Sequence, residues 1–134
     1  MAETLLLVED DAAEAEALSL ILADEGYAVV RAANGEEALA YLAEHPAPNL
    51  ILLDMIMPVL DGWHFLQEQK RSRHLARLPV LVITSTPVIG REWADDHGCA
   101  GCLRKPAEAE ELLREIHRCL NQSKMSLRAA GTPR

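Results

Sequence analysis

Five short apolar runs alternate along this chain with five stretches of helical periodicity. The runs are Thr4 to Val8, Ala28 to Ala32, Leu50 to Leu53, Pro79 to Thr84 and Ala100 to Arg104. Parallel strands need a long crossover, and a strand-helix alternation supplies one each time, so the pattern demands a mostly parallel sheet. Right-handed crossovers then place helices on both faces. Leu5-Leu6-Leu7-Val8, Leu50-Ile51-Leu52-Leu53 and Val80-Leu81-Val82-Ile83 are unbroken by polar residues, as strands covered on both faces must be. The second run carries Arg31 and suits an edge.

The intervening helices are bounded by local signals. Ala13 to Glu25 places Leu18, Ile21 and Leu22 on one face, with Asp11 as N-cap and Gly26 as terminator. Gly35 to Glu44 begins at Asn34, with Glu37 in the capping-box position. Further helices are predicted near Trp63 to Ser72, Gly90 to His97 and Ala107 to Asn121, the last with Leu113, Ile116 and Leu120 facing inward. Residues 1–121 thus read as one domain. Residues 122–134, small and polar with Lys124, Arg128 and Arg134, read as a flexible C-terminal tail.

The chain has 134 residues, enough for one domain whose core needs no covalent staples. Its three cysteines, an odd number, suit a reducing compartment, so a cytoplasmic protein is expected. No apolar run is long enough for a membrane span, and Met1-Ala2-Glu3-Thr4 enters a strand too soon for a signal peptide. A formal net charge of −8 argues against nucleic-acid backbones as partners.

Chemistry gathers where strands hand over to loops. Glu9-Asp10-Asp11 follows the first strand, Asp54 the third, Thr84-Ser85 the fourth and Lys105-Pro106 the fifth. In an open α/β sheet these positions converge at the carboxyl edge, where such folds bind ligands. Each carboxylate alone would pass for a helix cap or a solvated charge. Together with Lys105 and Thr84 they make a cluster of hard oxygen donors suited to Mg²⁺. A carboxylate there can act as a nucleophile towards phosphorus, with Lys105 stabilising charge on the transferring oxygens.

These motifs resemble the receiver domain of bacterial two-component response regulators. Val8-Glu9-Asp10-Asp11, Leu53-Asp54-Met55-Ile56-Met57-Pro58, Asp61-Gly62, Leu78-Pro79-Val80 through Thr84, and Lys105-Pro106 stand in that family's order over Thr4 to Asn121. The resemblance implies a five-stranded parallel sheet in the order 2-1-3-4-5. It implies that Asp54 is the phosphoacceptor and that Asp10 binds Mg²⁺ directly, with Glu9 acting through water and the Ile56 carbonyl completing the ligands. Thr84 would be the switch hydroxyl, Lys105 the phosphoryl partner, and the Lys105–Pro106 bond cis. The implied protein is a signalling switch rather than a conventional enzyme, although it would catalyse its own phosphorylation and slow dephosphorylation. Its partners would be a sensor histidine kinase or histidine phosphotransfer protein and an output protein, with homodimerisation as an option. Either output runs through that partner, or the chain belongs to a longer regulator. The sequence departs from the pattern at Cys102, where the family carries an aromatic, at Ala107, where it carries Phe, and in a short Thr84 to Gly98 stretch. Cys102 cannot serve as the aromatic rotor, so Thr84 and the loop from Ser85 to Gly90 are expected to carry the switch, with Val88, Ile89 and Trp93 offering either packing or a partner surface.

Other readings fare worse. A flavodoxin-like electron carrier would meet its phosphate with Glu9-Asp10-Asp11, which repels it. A haloacid-dehalogenase phosphatase needs a second Asp where Ile56 stands. A degenerate receiver, acting only as an interaction module, sits badly with an intact acidic pair, Asp54, Thr84 and Lys105. Cys99-Ala100-Gly101-Cys102 has redox spacing, and His97 could add a metal ligand, but the pair precedes a strand rather than opening a helix, and structural zinc wants four ligands. Cys99, Cys119, Trp63 and Trp93 read as packing residues.

Overall fold

The computed structural model describes residues 2–55, 62–85 and 89–131, with the side chains of the last helix described to residue 125. Its elements are β1 (Thr4–Val8), α1 (Ala12–Asp24), β2 (Ala28–Ala32), α2 (Gly35–Glu44), β3 (Leu50–Asp54), α3 (Gly62–Arg71), β4 (Val80–Thr84), α4 (Arg91–Asp96), β5 (Gly101–Arg104) and α5 (Ala109–Gly131). All strand pairs are parallel, in the order β2-β1-β3-β4-β5. The expected topology is therefore observed, with β2 and its exposed Arg31 at an edge.

The unbroken apolar runs serve two cores. Leu6, Val8, Ile51, Leu53, Val80 and Val82 pack with Ala38 and Leu42 of α2, Phe65 and Leu66 of α3, and Ala94 of α4. Their strand neighbours Leu5, Leu7, Leu50, Leu52, Leu81 and Ile83 pack with Ala15 and Leu22 of α1 and with Leu112, Ile116, Cys119 and Leu120 of α5. Alternate side chains of one strand point to opposite faces, so a strand covered on both sides has no room for a polar residue. Each such side chain contributes roughly 1.5–3 kcal/mol by leaving water.

Helix ends follow the local chemistry. Asp11 caps α1 through its Oδ1, which accepts from the Glu14 N–H at 3.0 Å. Asn34 caps α2 in the same way, accepting from Glu37 at 2.9 Å. Glu37 reaches back one residue further than a capping box requires, to the Ala33 N–H. Gly26 takes φ 96° beyond the end of α1, a left-handed conformation that glycine adopts without a Cβ penalty. Between α3 and β4, the buried Gln69 side chain donates to the carbonyls of Leu75 and Leu78, closing the loop that delivers β4 to the sheet.

Some boundaries differ from the sequence reading. The last helix, expected to stop at Asn121, continues to Gly131. Residues 122–130 are mostly good helix formers without Gly or Pro, and polarity alone does not end a helix. Lys124 pairs with Glu3 at 3.1 Å, tying this extension to the start of β1. On α5 it is Leu112 that is buried, while Leu113 is half-buried; on α1, Ala15 and Leu22 are buried and Leu18 and Ile21 only partly so. Ile89 is buried in the core and offers no surface to a partner. Pro87 and Val88 lie outside the described residues. Trp93 stacks on His97 at 4.0 Å, and Trp63 meets Trp93 edge-on at 4.9 Å, so both indoles pack as expected, with Trp63 left 42% exposed.

Candidate phosphoacceptor site

The parallel register brings four strand ends to one edge. Val8 lies opposite Ala32 and Leu53, Asp54 opposite Ile83, and Thr84 opposite Arg104. Glu9, Asp54, Thr84 and Lys105 each stand at or one step beyond these positions.

The β1–α1 loop is pinned from the edge strand. The Glu9 N–H donates to the Ala32 carbonyl at 3.0 Å. Arg31 then reaches back along the edge, its guanidinium donating to the Glu9 carbonyl at 3.0 and 3.2 Å and to the Asp10 carbonyl at 3.1 Å. Glu9, 2% exposed, accepts through its side chain from the Asp11 N–H at 3.2 Å. Asp10 faces solvent. One loop thus supplies a buried and an exposed carboxylate in succession.

Lys105 enters from the opposite side. Its N–H donates to the Thr84 carbonyl at 2.8 Å, and its peptide bond to Pro106 is cis, as expected. The ammonium Nζ lies 3.0 Å from Glu9 Oε1, 3.1 Å from Asp54 Oδ2 and 2.8 Å from Glu14 Oε1. Thr84 is buried at the end of β4. Burial pushes Glu9 up to about 7, reinforced by the Asp54 charge, against the pull of Lys105 and the Asp11 N–H. Burial works against the Lys105 charge, but hydrogen bonds to Glu14 and Glu9 and the Asp54 carboxylate outweigh it and hold the ammonium above its ordinary range.

The backbone beyond Asp54 leaves no room for a side chain on its neighbour. A Cβ on Gly62 would lie 2.6 Å from the Met55 Cα and 3.1 Å from the Asp54 carbonyl oxygen. Glycine at this point of the Asp61-Gly62 motif therefore lets α3 start directly against the end of β3. Asp61, like Ile56 and Pro58, lies outside the described residues.

Glu9, Asp10 and Asp54 can each offer one carboxylate oxygen such that all three lie within 4.8 Å of one another. Hard oxygen donors with one side open to water are what Mg²⁺ takes, so the residues present fit the ion. Among the described residues, this is the group of carboxylate, thiol and imidazole side chains close enough to share a metal; His97, Cys99 and Cys102 form no such group. Cys99, Cys102 and Cys119 are free thiols, and burial raises all three, Cys99 and Cys119 to about 11. A redox pair needs a lowered thiol, so these act as core residues.

Sequence reasoning missed two participants. The sequence marks Arg31 only as an edge residue, whereas its register position beside Leu7 lets it reach the loop after β1. Glu14 looks like an ordinary first-turn acid of α1, and only the fold shows that this turn leans over Lys105.

Comparison with known proteins shows the family. Residues 5–117 match the response regulator receiver domain family model. The response regulator Rre1 of Synechocystis is 37% identical over 111 residues, covering 81% of this chain and 48% of that protein. The protein PilH of Pseudomonas aeruginosa is 29% identical over 117 residues, covering 87% of this chain and 96% of that one. Among solved structures, a CheY-like receiver domain protein from Methanospirillum hungatei superposes with a TM-score of 0.81 at 26% identity, covering 94% of this chain and 99% of that one. The chain spans about half the length of the first curated relatives it matches. With the 2-1-3-4-5 sheet and the carboxylate–lysine cluster at its carboxyl edge, the chain belongs to the response regulator receiver domain family.

Proposed function

We propose that residues 1–121 form a phosphorylation-controlled switch, in which Asp54 accepts a phosphoryl group from a histidine kinase or phosphotransfer protein in the cytoplasm. The observation that carries this reading is the convergence of Glu9, Asp10, Asp54 and Lys105 at one strand edge. A dense negative cluster around one partly buried ammonium is costly to build for packing alone.

Mg²⁺, held by Asp10, Asp54 and the Ile56 carbonyl with Glu9 acting through water, would offset carboxylate repulsion and charge on the phosphoryl oxygens. A carboxylate oxygen of Asp54 attacks phosphorus and forms the new O–P bond. The donor's P–N bond breaks, its electron pair stays on the imidazole, and solvent reprotonates that nitrogen. Lys105, poised 3.1 Å from Asp54, turns its ammonium to a phosphoryl oxygen. Thr84, at the end of β4, supplies the hydroxyl that answers the added charge, about −1.5 to −2 units. With Cys102 in place of an aromatic, Thr84 and the segment after it carry the change to a protein partner. Hydrolysis of the acyl phosphate by water resets the switch.

The test is intact-mass detection after incubation with a small phosphodonor and Mg²⁺. The wild type should gain one phosphoryl group and Asp54→Asn none, since an amide is no nucleophile here. Equal gain in both proteins would place the acceptor elsewhere. No gain in the wild type would favour a phosphorylation-independent interaction module.

A further inference from the structure

We infer that Glu14 is a positioning residue that competes with the incoming phosphoryl group for Lys105 and so sets how readily Asp54 is phosphorylated. The inference rests on the reading of Asp54 as phosphoacceptor.

A lysine ammonium has three N–H donors. In this structure three carboxylate oxygens lie within 3.1 Å of Nζ: Glu14 Oε1 at 2.8 Å, Glu9 Oε1 at 3.0 Å and Asp54 Oδ2 at 3.1 Å. Glu9 and Asp54 accept hydrogen bonds from Nζ and Glu14 holds it in an ion pair, so three carboxylates share one ammonium. A phosphoryl oxygen on Asp54 can bind Lys105 only if one carboxylate lets go. The three are not equally free to do so. Glu9 is buried at the strand edge, and its second oxygen also accepts from the Asp11 N–H at 3.2 Å. Asp54 is the acceptor itself. Glu14 has a side chain 39% exposed, so water can take over its hydrogen bonds.

The position of Glu14 is built rather than incidental. Asp11 caps α1 by accepting from the Glu14 N–H at 3.0 Å, which fixes the first turn and the direction in which Glu14 leaves it. That turn starts directly after the Glu9-Asp10 pair. While Glu14 stays in place it holds Lys105 and adds negative charge beside Asp54, where a phosphoryl anion must arrive. The transfer itself is unchanged: Asp54 forms the O–P bond, the donor's bond to phosphorus breaks, and its electron pair leaves with the donor. Glu14 acts only through Lys105 and the local field.

The bland account is that Glu14 is an acid favouring the N-terminus of α1. That role would change the melting temperature and leave Lys105 untouched. Two measurements on Glu14→Gln and Glu14→Ala separate the accounts, and the exposed position keeps both variants foldable. In metal-free protein, the side-chain ¹⁵N signal of Lys105 should shift in both variants. With Mg²⁺ and acetyl phosphate at low ionic strength, both should gain the phosphoryl group about two- to fivefold faster than wild type, the range expected for one exposed ion pair. The difference should shrink in high salt, which screens an exposed charge. An unmoved Lys105 signal, or variants no faster than a wild type that is phosphorylated on Asp54, would overturn the role of Glu14 alone. A wild type that gains no phosphoryl group on Asp54 would overturn both this inference and the phosphoacceptor reading.

Discussion

Two charge clusters lie at opposite ends of β5, and they combine cations and carboxylates in opposite proportions. At the carboxyl end, one ammonium, Lys105, faces the carboxylates of Glu9, Glu14 and Asp54. At the amino end, one carboxylate, Glu115, accepts from Arg118 at 2.8 and 2.9 Å and lies 3.8 Å from Arg91. Arg118 also donates to the Ala100 carbonyl at 2.8 Å, clamping α5 to the start of the strand. The Arg118 hydrogen bonds hold Glu115 below the usual carboxylate range, whereas burial lifts Glu9 well above it. The second cluster carries surplus positive charge on Arg91 and Arg118, whose side chains are 67% and 39% exposed, so water meets it without a ligand. The first carries surplus negative charge that only a cation or a rearrangement can relieve. Charge imbalance that is buried, rather than imbalance met by water, separates a functional cluster from a structural one.

The contrast breaks most readily through pH. In metal-free protein Glu9 is lifted from 4.5 to about 7. A carboxyl whose folded value exceeds its unfolded value binds more protons when folded. Its contribution is complete below about pH 4.5 and is lost as pH rises through about 7. Thermal melts without metal should show stability falling across that window, on the order of 1–3 kcal/mol. Glu9→Gln should flatten the fall. A melting temperature that climbs steadily from pH 5 to 7.5, with Glu9→Gln no different, would show that the cluster is not strained.

Mg²⁺ should rescue the same cluster and ignore the other. At ten times its dissociation constant, an ion bound only by the folded state adds about 1.4 kcal/mol. Differential scanning calorimetry at pH 7.5 should show that gain in wild type and in Glu115→Gln, and its loss in Asp10→Asn. The smallest expected effect lies at the amino end of β5. Glu115→Gln should cost about 1 kcal/mol with or without Mg²⁺, since Arg118 stays partly hydrated. A cost that depends on Mg²⁺ would couple the two clusters and end the distinction.

Much of this molecule was legible in its sequence. The unbroken runs around Leu52 and Val82 forced a two-sided parallel sheet, and Arg31 marked its edge, because these choices are set by local pattern. Glu9, Asp10, Asp54 and Lys105 were legible because strand ends in this topology converge. What escaped depends on contacts that no local pattern encodes. Glu14 reads as a helix-end acid until the fold brings the first turn of α1 to Lys105, one residue past β5, and Arg31 reads as surface until its register places it next to the Glu9 carbonyl. The continuation of α5 past Asn121 was lost by weighing polarity above helix propensity.

The central claim is that Asp54 is where the imbalance of the first cluster is used. After exposure to a small phosphodonor and Mg²⁺, borohydride reduction converts an aspartyl phosphate to homoserine, which peptide mass spectrometry can locate. The account predicts homoserine at position 54 alone, absent when the donor or Mg²⁺ is omitted. Homoserine at Asp10 or Asp11 instead, or an unmodified Asp54 in a protein that has gained the phosphoryl mass, would contradict it.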